Sequence, residues 1–172
     1  MDNTNKTVSE IIKTFFGSEI VIPTDLRLET FGDYYDDYAL LSRQLKMIVY
    51  LNAESCVNCT MMSLIPVYNL HLESKEFSKF GIVIILHSSQ HEYMEFFHET
   101  SFFSYPVFYD PEGSFERLNP NLPISALYHT FLLDKNNKVV LVGSPLHNPP
   151  LWELYKSTIQ KMIDNDGVFP EQ

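Results

Sequence analysis

Apolar residues are concentrated in short runs in the middle of the chain, separated by segments of mixed polarity. Residues 47–51 and 81–86 are two such runs, with the length and composition of buried β-strands. Between them, apolar residues recur at helical spacing from Val57 to Leu72. This spacing predicts a helix whose first turn carries the chain's cysteines, and Pro66 predicts a kink within it.

The flanking segments show shorter patterns of the same kinds. Before residue 45, the pattern predicts a helix over residues 7–16 and extended segments at 19–22 and 38–41. After residue 86 it predicts, in order, a helix at 90–98, a strand at 106–109, a turn at 110–113, a hairpin of strands 130–133 and 138–142, and a last helix at 150–163. This order indicates an α/β fold, with a central mixed sheet covered by helices on both faces.

The composition is that of a globular protein with an excess of acidic residues. Hydrophobic residues make up 45% of the 172 positions, and this length suits one domain with a sizeable core. The formal net charge of -10 would repel the phosphates of nucleic acids. No run reaches the roughly 18 apolar residues that a membrane-spanning helix needs. We therefore expect no nucleic-acid partner and no membrane-spanning segment.

The two cysteines of the chain, Cys56 and Cys59, stand at C-x-x-C spacing. Two are too few for a disulfide framework or a four-cysteine zinc site. Disulfide exchange needs one sulfur that attacks as a thiolate and another that resolves the mixed disulfide. At the start of a helix, unpaired backbone N–H groups favour the Cys56 thiolate, and Cys59 follows one turn later. Cys56 is then the nucleophile and Cys59 the resolver; an inert pair and a metal-binding pair are the alternatives.

Several segments of the chain carry a family resemblance. They are the strand and cysteines at residues 48–59, the strand and turn at 106–113, and the hairpin Thr-Phe-Leu-Leu-Asp-Lys-Asn-Asn-Lys-Val at 130–139. In these segments the chain resembles the thioredoxin-like redoxins of the TlpA/ResA group. The run Gly-Ser-Pro-Leu-His-Asn-Pro at 143–149 is similar to one in uncharacterised bacterial envelope proteins, many of them lipoproteins.

The resemblance implies a thioredoxin-like fold and a division of the chain. Residues 45–172 are expected to form the thioredoxin-like domain, and residues 1–44 an N-terminal extension packed on it, within a single domain overall. The resemblance also implies a location in the bacterial cell envelope, periplasmic or lipid-anchored, after removal of a signal segment. The cytoplasm is the alternative.

Two of the departures from the family pattern bear on the chemistry of the expected site. By alignment on the hairpin, the cis-proline that faces the sulfurs in thioredoxin-like proteins falls at Tyr128. Tyr128 and His129 are thus expected to shape the substrate-facing loop. Met62 stands where the group carries an acidic residue after the second cysteine, so the sequence does not reveal a general base for the resolving thiol.

The resemblance implies a thiol-disulfide oxidoreductase that acts on protein thiols or disulfides and needs a redox partner to recharge its site. No cofactor is expected. Spacing does not set the direction of electron flow, which depends on the reduction potential. Two other classes remain open: a redox-inert binding module with the same fold, and a metal-binding protein that uses Cys56, Cys59 and His129.

Overall fold

The computed structural model describes residues 7–29, 37–54, 57–87, 89, 91–92 and 105–171. For residues 29, 37, 57–61 and 63 it describes the backbone alone.

One mixed sheet forms the centre of the molecule. Its six strands among the described residues are β1 (Arg27–Glu29), β2 (Leu45–Leu51), β3 (Phe80–His87), β4 (Val107–Asp110), β5 (Thr130–Leu133) and β6 (Val139–Val142). They lie in the order β1-β4-β3-β2-β5-β6. The pairs β2–β3 and β3–β4 are parallel, and the other three pairs are antiparallel.

Four α-helices cover this sheet in the described part of the chain: α1 (Val8–Phe15), α2 (Val57–Glu73), α3 (Ser114–Leu118) and α4 (Pro149–Asp164). Side-chain caps stabilise the N-termini of two of these helices. At α1, the Thr7 hydroxyl accepts from the backbone N–H of Glu10 while the Glu10 carboxylate accepts from that of Thr7, a capping box. At α4, Asn148 caps the first turn and prolines follow it, as the fixed φ of proline favours.

The side chains of β2 alternate between two cores, as the period of a strand requires. Met47 and Val49 point to the core shared with α2 and α4, whereas Ile48 and Tyr50 point to the core shared with α1 and α3. The predicted α/β fold, with a mixed sheet covered on both faces, is therefore confirmed. The predicted hairpin is also confirmed, because β5 pairs antiparallel with β6.

Two short segments differ from the sequence-based prediction. Residues 38–41, predicted to be extended, belong to a 3₁₀ helix over Asp37–Ser42. In the segment 19–22, Glu19 forms an isolated antiparallel bridge with Lys138, while the strand β1 begins later, at Arg27. Segments of three or four residues carry too little periodicity to distinguish a strand from a 3₁₀ turn. Most of the helix predicted at 90–98 lies outside the described residues, and the predicted kink at Pro66 stays a prediction.

None of the helices in the described ranges combines the length and apolar character needed to cross a bilayer.

Candidate functional site

The cysteine segment joins the end of β2 to the start of α2. β2 ends at Leu51, four polar or small residues separate it from Cys56 in the sequence, and α2 begins at Val57, directly after Cys56. Cys59 lies in the first turn of α2, where backbone N–H groups have no intrahelical partner. Cys56 lies outside the described residues, and the backbone alone is described at Cys59.

The segment containing Tyr128 and His129 lies beside the same end of β2. A 3₁₀ helix, Ala126–Tyr128, is capped by the Ser125 hydroxyl and leads into β5. The backbone N–H of Tyr50 donates to the carbonyl of His129 at 3.0 Å, which extends the β2–β5 pairing toward the cysteine segment. The structure thus brings His129 next to the strand that leads to Cys56.

His129 is a buried residue with a defined ring state. Its side chain is 3% exposed, and Nε2 lies 2.7 Å from the carbonyl oxygen of Pro123. Because a carbonyl only accepts, Nε2 carries the proton of this bond. Burial lowers the pKa of His129, so the ring is neutral at physiological pH. Nδ1 is then an acceptor, and it has no hydrogen-bond partner among the described residues.

The backbone at Tyr128 differs in conformation from an extended loop that contains a proline. Tyr128 is half-buried and ends the 3₁₀ helix, and all peptide bonds among the described residues are trans. In the described ranges, no three histidine, cysteine or carboxylate side chains form a metal-ligating group. The set Cys56, Cys59 and His129 includes a residue outside those ranges, so the metal-binding alternative stays a hypothesis.

A cavity of about 360 Å³ opens beside the cysteine segment. Its described lining comprises Asn52, Ala53, Glu54, Glu116, Asn119, Pro120, Leu122, Pro123, Ile124 and His129. The first three of these immediately precede Ser55 and Cys56 in the sequence. The cavity therefore lies between the entry to α2 and the loop that ends at His129.

Glu116 is a site residue that the sequence does not reveal. Its Oε1 accepts a hydrogen bond of 3.0 Å from the hydroxyl of Tyr50. Burial raises the pKa of Tyr50 well above its usual value, so the hydroxyl keeps its proton and remains a donor. The Tyr50 ring also lies 5.4 Å from that of His129. Tyr50 thus connects Glu116 and His129 below the cavity.

Asp110 holds the helix that carries Glu116. Its two carboxylate oxygens accept from the backbone N–H groups of Ser114 and Phe115, at 2.8 and 2.9 Å. The sequence signals a turn at 110–113, and Gly113 has the positive φ of 63° that such a turn needs. That signal does not predict the short helix that follows, or where its side chains point.

No family model and no curated protein sequence matches the chain. Several solved structures are similar to it. One, described as a protein disulfide isomerase from Bacteroides thetaiotaomicron, is 15% identical, with 89% of this chain and 95% of that chain covered and a TM-score of 0.58. Another, described as a thiol:disulfide interchange protein DsbE from Chlorobium tepidum, is 18% identical, with 68% and 81% covered and a TM-score of 0.52.

A third similar structure is the thioredoxin domain of a thiol-disulfide oxidoreductase from Bacteroides vulgatus. It is 15% identical, with 84% of this chain and 97% of that chain covered and a TM-score of 0.52. At these identities, the likeness concerns the path of the backbone.

Proposed function

We propose that this chain, which has a thioredoxin-like fold, is a thiol-disulfide oxidoreductase that exchanges disulfides with protein thiols through Cys56 and Cys59. The observation that carries the proposal is the position of the C-x-x-C motif, between the end of a central strand and the first turn of α2. A helix N-terminus favours a thiolate, which is the species that attacks a disulfide. The similar structures of proteins named for disulfide chemistry support the same class of reaction.

In the reducing direction, the Cys56 thiolate attacks one sulfur of the substrate disulfide. A mixed disulfide forms, and the other substrate sulfur leaves as a thiolate. The Cys59 thiol then loses its proton and attacks the Cys56 sulfur, which releases the second substrate sulfur. Two electrons pass from the cysteine pair to the substrate, and the proton of Cys59 ends on a released thiolate. In the oxidising direction the same steps run backwards, and a redox partner restores the starting state of the pair.

Tyr128 and His129 are proposed to shape the loop that faces the substrate. The support is the bond between the Tyr50 N–H and the His129 carbonyl, which puts this loop at the end of β2. Because His129 is buried and bonded to Pro123, its role is to support the loop, while the half-buried Tyr128 is available to contact a substrate.

The proposed location is the bacterial cell envelope, on the basis of the resemblance to envelope redoxins. The full-length gene product, expressed in its host, should be labelled on intact cells or spheroplasts by a membrane-impermeant thiol reagent after reduction. Labelling that requires cell lysis would place the protein in the cytoplasm instead.

The proposed reaction is tested by equilibrating the protein against mixtures of reduced and oxidised dithiothreitol and counting free thiols. We expect a reversible two-electron transition in the native chain. Cys59→Ser should accumulate a mixed disulfide with a substrate protein, whereas Cys56→Ser should not, because only the former keeps the nucleophile without the resolver. Thiols that stay unpaired under oxidising conditions would exclude the oxidoreductase function.

A binding module without redox chemistry is the second candidate. The observation that favours it is the 3₁₀ helix at the Tyr128 position, which lacks an extended edge for a substrate strand. If the chain is a binding module, the Cys56→Ser, Cys59→Ser double variant should retain the affinity of the native chain for its partner. Loss of partner capture in that variant would contradict it.

A further inference from the structure

We propose that the cavity beside the cysteine segment binds a cationic side chain, lysine or arginine, of the protein that reacts at Cys56. This inference rests on the proposed function, because it names the substrate class of the same site.

The charges on the cavity wall are the first argument. Glu54 and Glu116 both line the cavity, and both side chains are exposed. None of the ten described lining residues is a lysine or an arginine. His129, the lining residue that could carry a positive charge, is kept neutral by its burial. The described part of the wall therefore presents negative charge that none of its own side chains offsets.

The hydrogen-bonding groups of the wall are the second argument. The side-chain N–H groups of Asn119 donate to the carbonyls of Val21 and Phe115, at 2.9 and 2.8 Å. The ring N–H of His129 is used by the Pro123 carbonyl. These donors are occupied within the protein, whereas the carboxylate of Glu116, whose Oε1 accepts from Tyr50, offers only acceptors to a ligand. A ligand rich in N–H donors matches such a wall.

The apolar part of the wall suits the stem of a long cationic side chain. Pro120, Leu122 and Ile124 line the cavity beside the carboxylates. Ile124 is 80% exposed. Lysine and arginine bury their methylene stems against apolar surface while the charged head reaches a polar partner. The volume of about 360 Å³ accommodates such a side chain together with bridging water.

The short separation between Glu54 and Cys56 limits the sequence position of the lysine or arginine relative to the substrate cysteine. Two peptide units separate Glu54 from Cys56, so their Cα atoms lie at most about 7.6 Å apart. An extended substrate advances about 3.3 Å per residue. The bound lysine or arginine is therefore expected within about three residues of the substrate cysteine.

The experiment compares three synthetic peptide disulfides that differ in a single residue beside the cysteine: arginine, glutamine or glutamate. The second-order rate constant of their reaction with the reduced protein is measured at low ionic strength. We expect the arginine peptide to react about tenfold faster than the glutamine peptide, and the glutamate peptide to react more slowly than both. High salt should reduce these differences.

Two variants of equal charge make the test specific to the cavity. Glu116→Gln should remove most of the arginine preference, since a glutamine oxygen still accepts from Tyr50 but carries no charge. Glu112→Gln removes the same charge from an exposed residue outside the cavity lining, and should keep the preference. Circular dichroism spectra should show that both variants fold. An equal loss of preference in both variants would overturn the cavity assignment.

The outcomes also separate this inference from the proposed function. If the native protein reacts with all three peptides at equal rates, the proposed function stands and the cationic subsite is wrong. If no peptide reacts, both fail. As a second readout, calorimetry on the Cys56→Ser, Cys59→Ser variant uses peptides with serine in place of cysteine. We expect tighter binding of the arginine peptide; equal affinities for the arginine and glutamine peptides would overturn the inference.

Discussion

Burial sets the protonation state of the imidazole of His129. The ring is 3% exposed, and one nitrogen donates to the Pro123 carbonyl while the other has no partner in the described part of the chain. Among the described residues, the charge that raises the pKa of the ring is that of Glu116, and its effect is weaker than that of desolvation. A proton on Nδ1 would therefore be buried without an acceptor.

This predicts a loss of stability in acid that depends on His129. Its pKa in the folded state lies below the unfolded value of about 6.5, so the unfolded chain binds the proton more readily. The neutral ring makes its full contribution to the free energy of unfolding above about pH 6.5. This contribution is lost as the pH falls toward the pKa of His129 in the folded state. The free energy of unfolding, measured by urea titration between pH 8 and pH 5, should fall more steeply in the native chain than in His129→Gln.

His71 does not interfere with this comparison. Burial lowers its pKa as well, but it is present in both proteins and cancels in the difference. Parallel pH profiles for the native chain and His129→Gln would contradict the assigned ring state.

The hydroxyl of Tyr50 gives a second prediction at this scale. Tyr50→Phe removes the hydrogen bond to Glu116 without changing the packing of the ring against Phe115. We expect a loss of about 1 to 2 kcal/mol in the free energy of unfolding, because a hydrogen bond to a charged acceptor is removed. Tyr38→Phe is the control: its hydroxyl accepts a 3.3 Å bond at the exposed surface, so the loss should be below about 0.5 kcal/mol.

Among the elements, the short helix α3 depends on a single buried carboxylate. An isolated helix of this length is unstable, because the free energy of nucleation exceeds the stabilisation from its few hydrogen bonds. Asp110 is fully buried and satisfies two backbone N–H groups at the start of α3. The position of Glu116 at the cavity therefore depends on a residue that lies outside it.

Asp110→Ala should destabilise the protein by about 2 kcal/mol, since two buried N–H groups lose their acceptor. If the cationic subsite is correct, the variant should also lose preference for the arginine peptide while keeping its reaction with the glutamine peptide. Glu112→Ala, an exposed change in the same turn, should alter neither quantity. Equal stabilities for these two variants would show that Asp110 does not cap the helix.

For the molecule as a whole, several described residues before β2 share a core with the central sheet. The ring of Phe15 packs edge-on against Phe131 of β5, with 5.0 Å between the ring centroids. Ile20 and Leu26 belong to the same buried cluster. The division into an extension at 1–44 and a domain at 45–172 stays a prediction, and these contacts make it testable.

We expect Phe15→Ala to lower the free energy of unfolding by about 3 to 5 kcal/mol, as for other buried phenylalanines. Phe16→Ala is the matched control, because the adjacent side chain is 56% exposed, and its loss should be below about 1 kcal/mol. Unfolding should remain a single transition by both tryptophan fluorescence and circular dichroism. Two separate transitions, with Phe15→Ala affecting only the weaker one, would show that the extension unfolds independently.

Several elements of this protein could be predicted from its sequence because their signals are local. The runs at 47–51 and 81–86 are long enough to identify β2 and β3, and the turn between β5 and β6 identifies a hairpin. The start of α2 at the cysteines follows from periodicity in the same way. Short segments such as β1 and the 3₁₀ helix at Asp37–Ser42 were missed or predicted incorrectly, because so few residues carry too little periodicity to distinguish a strand from a 3₁₀ turn.

The sequence by itself therefore determined the main strands, the helices α1, α2 and α4, and the position of the C-x-x-C motif at a helix start. Only the tertiary structure decided the strand order and the cavity, including the bond between Tyr50 and Glu116, which lie 66 residues apart. It also decided that His129 is buried. Periodicity shows which face of an element is apolar, but not which distant element covers it, and the chemistry of this site depends on that pairing.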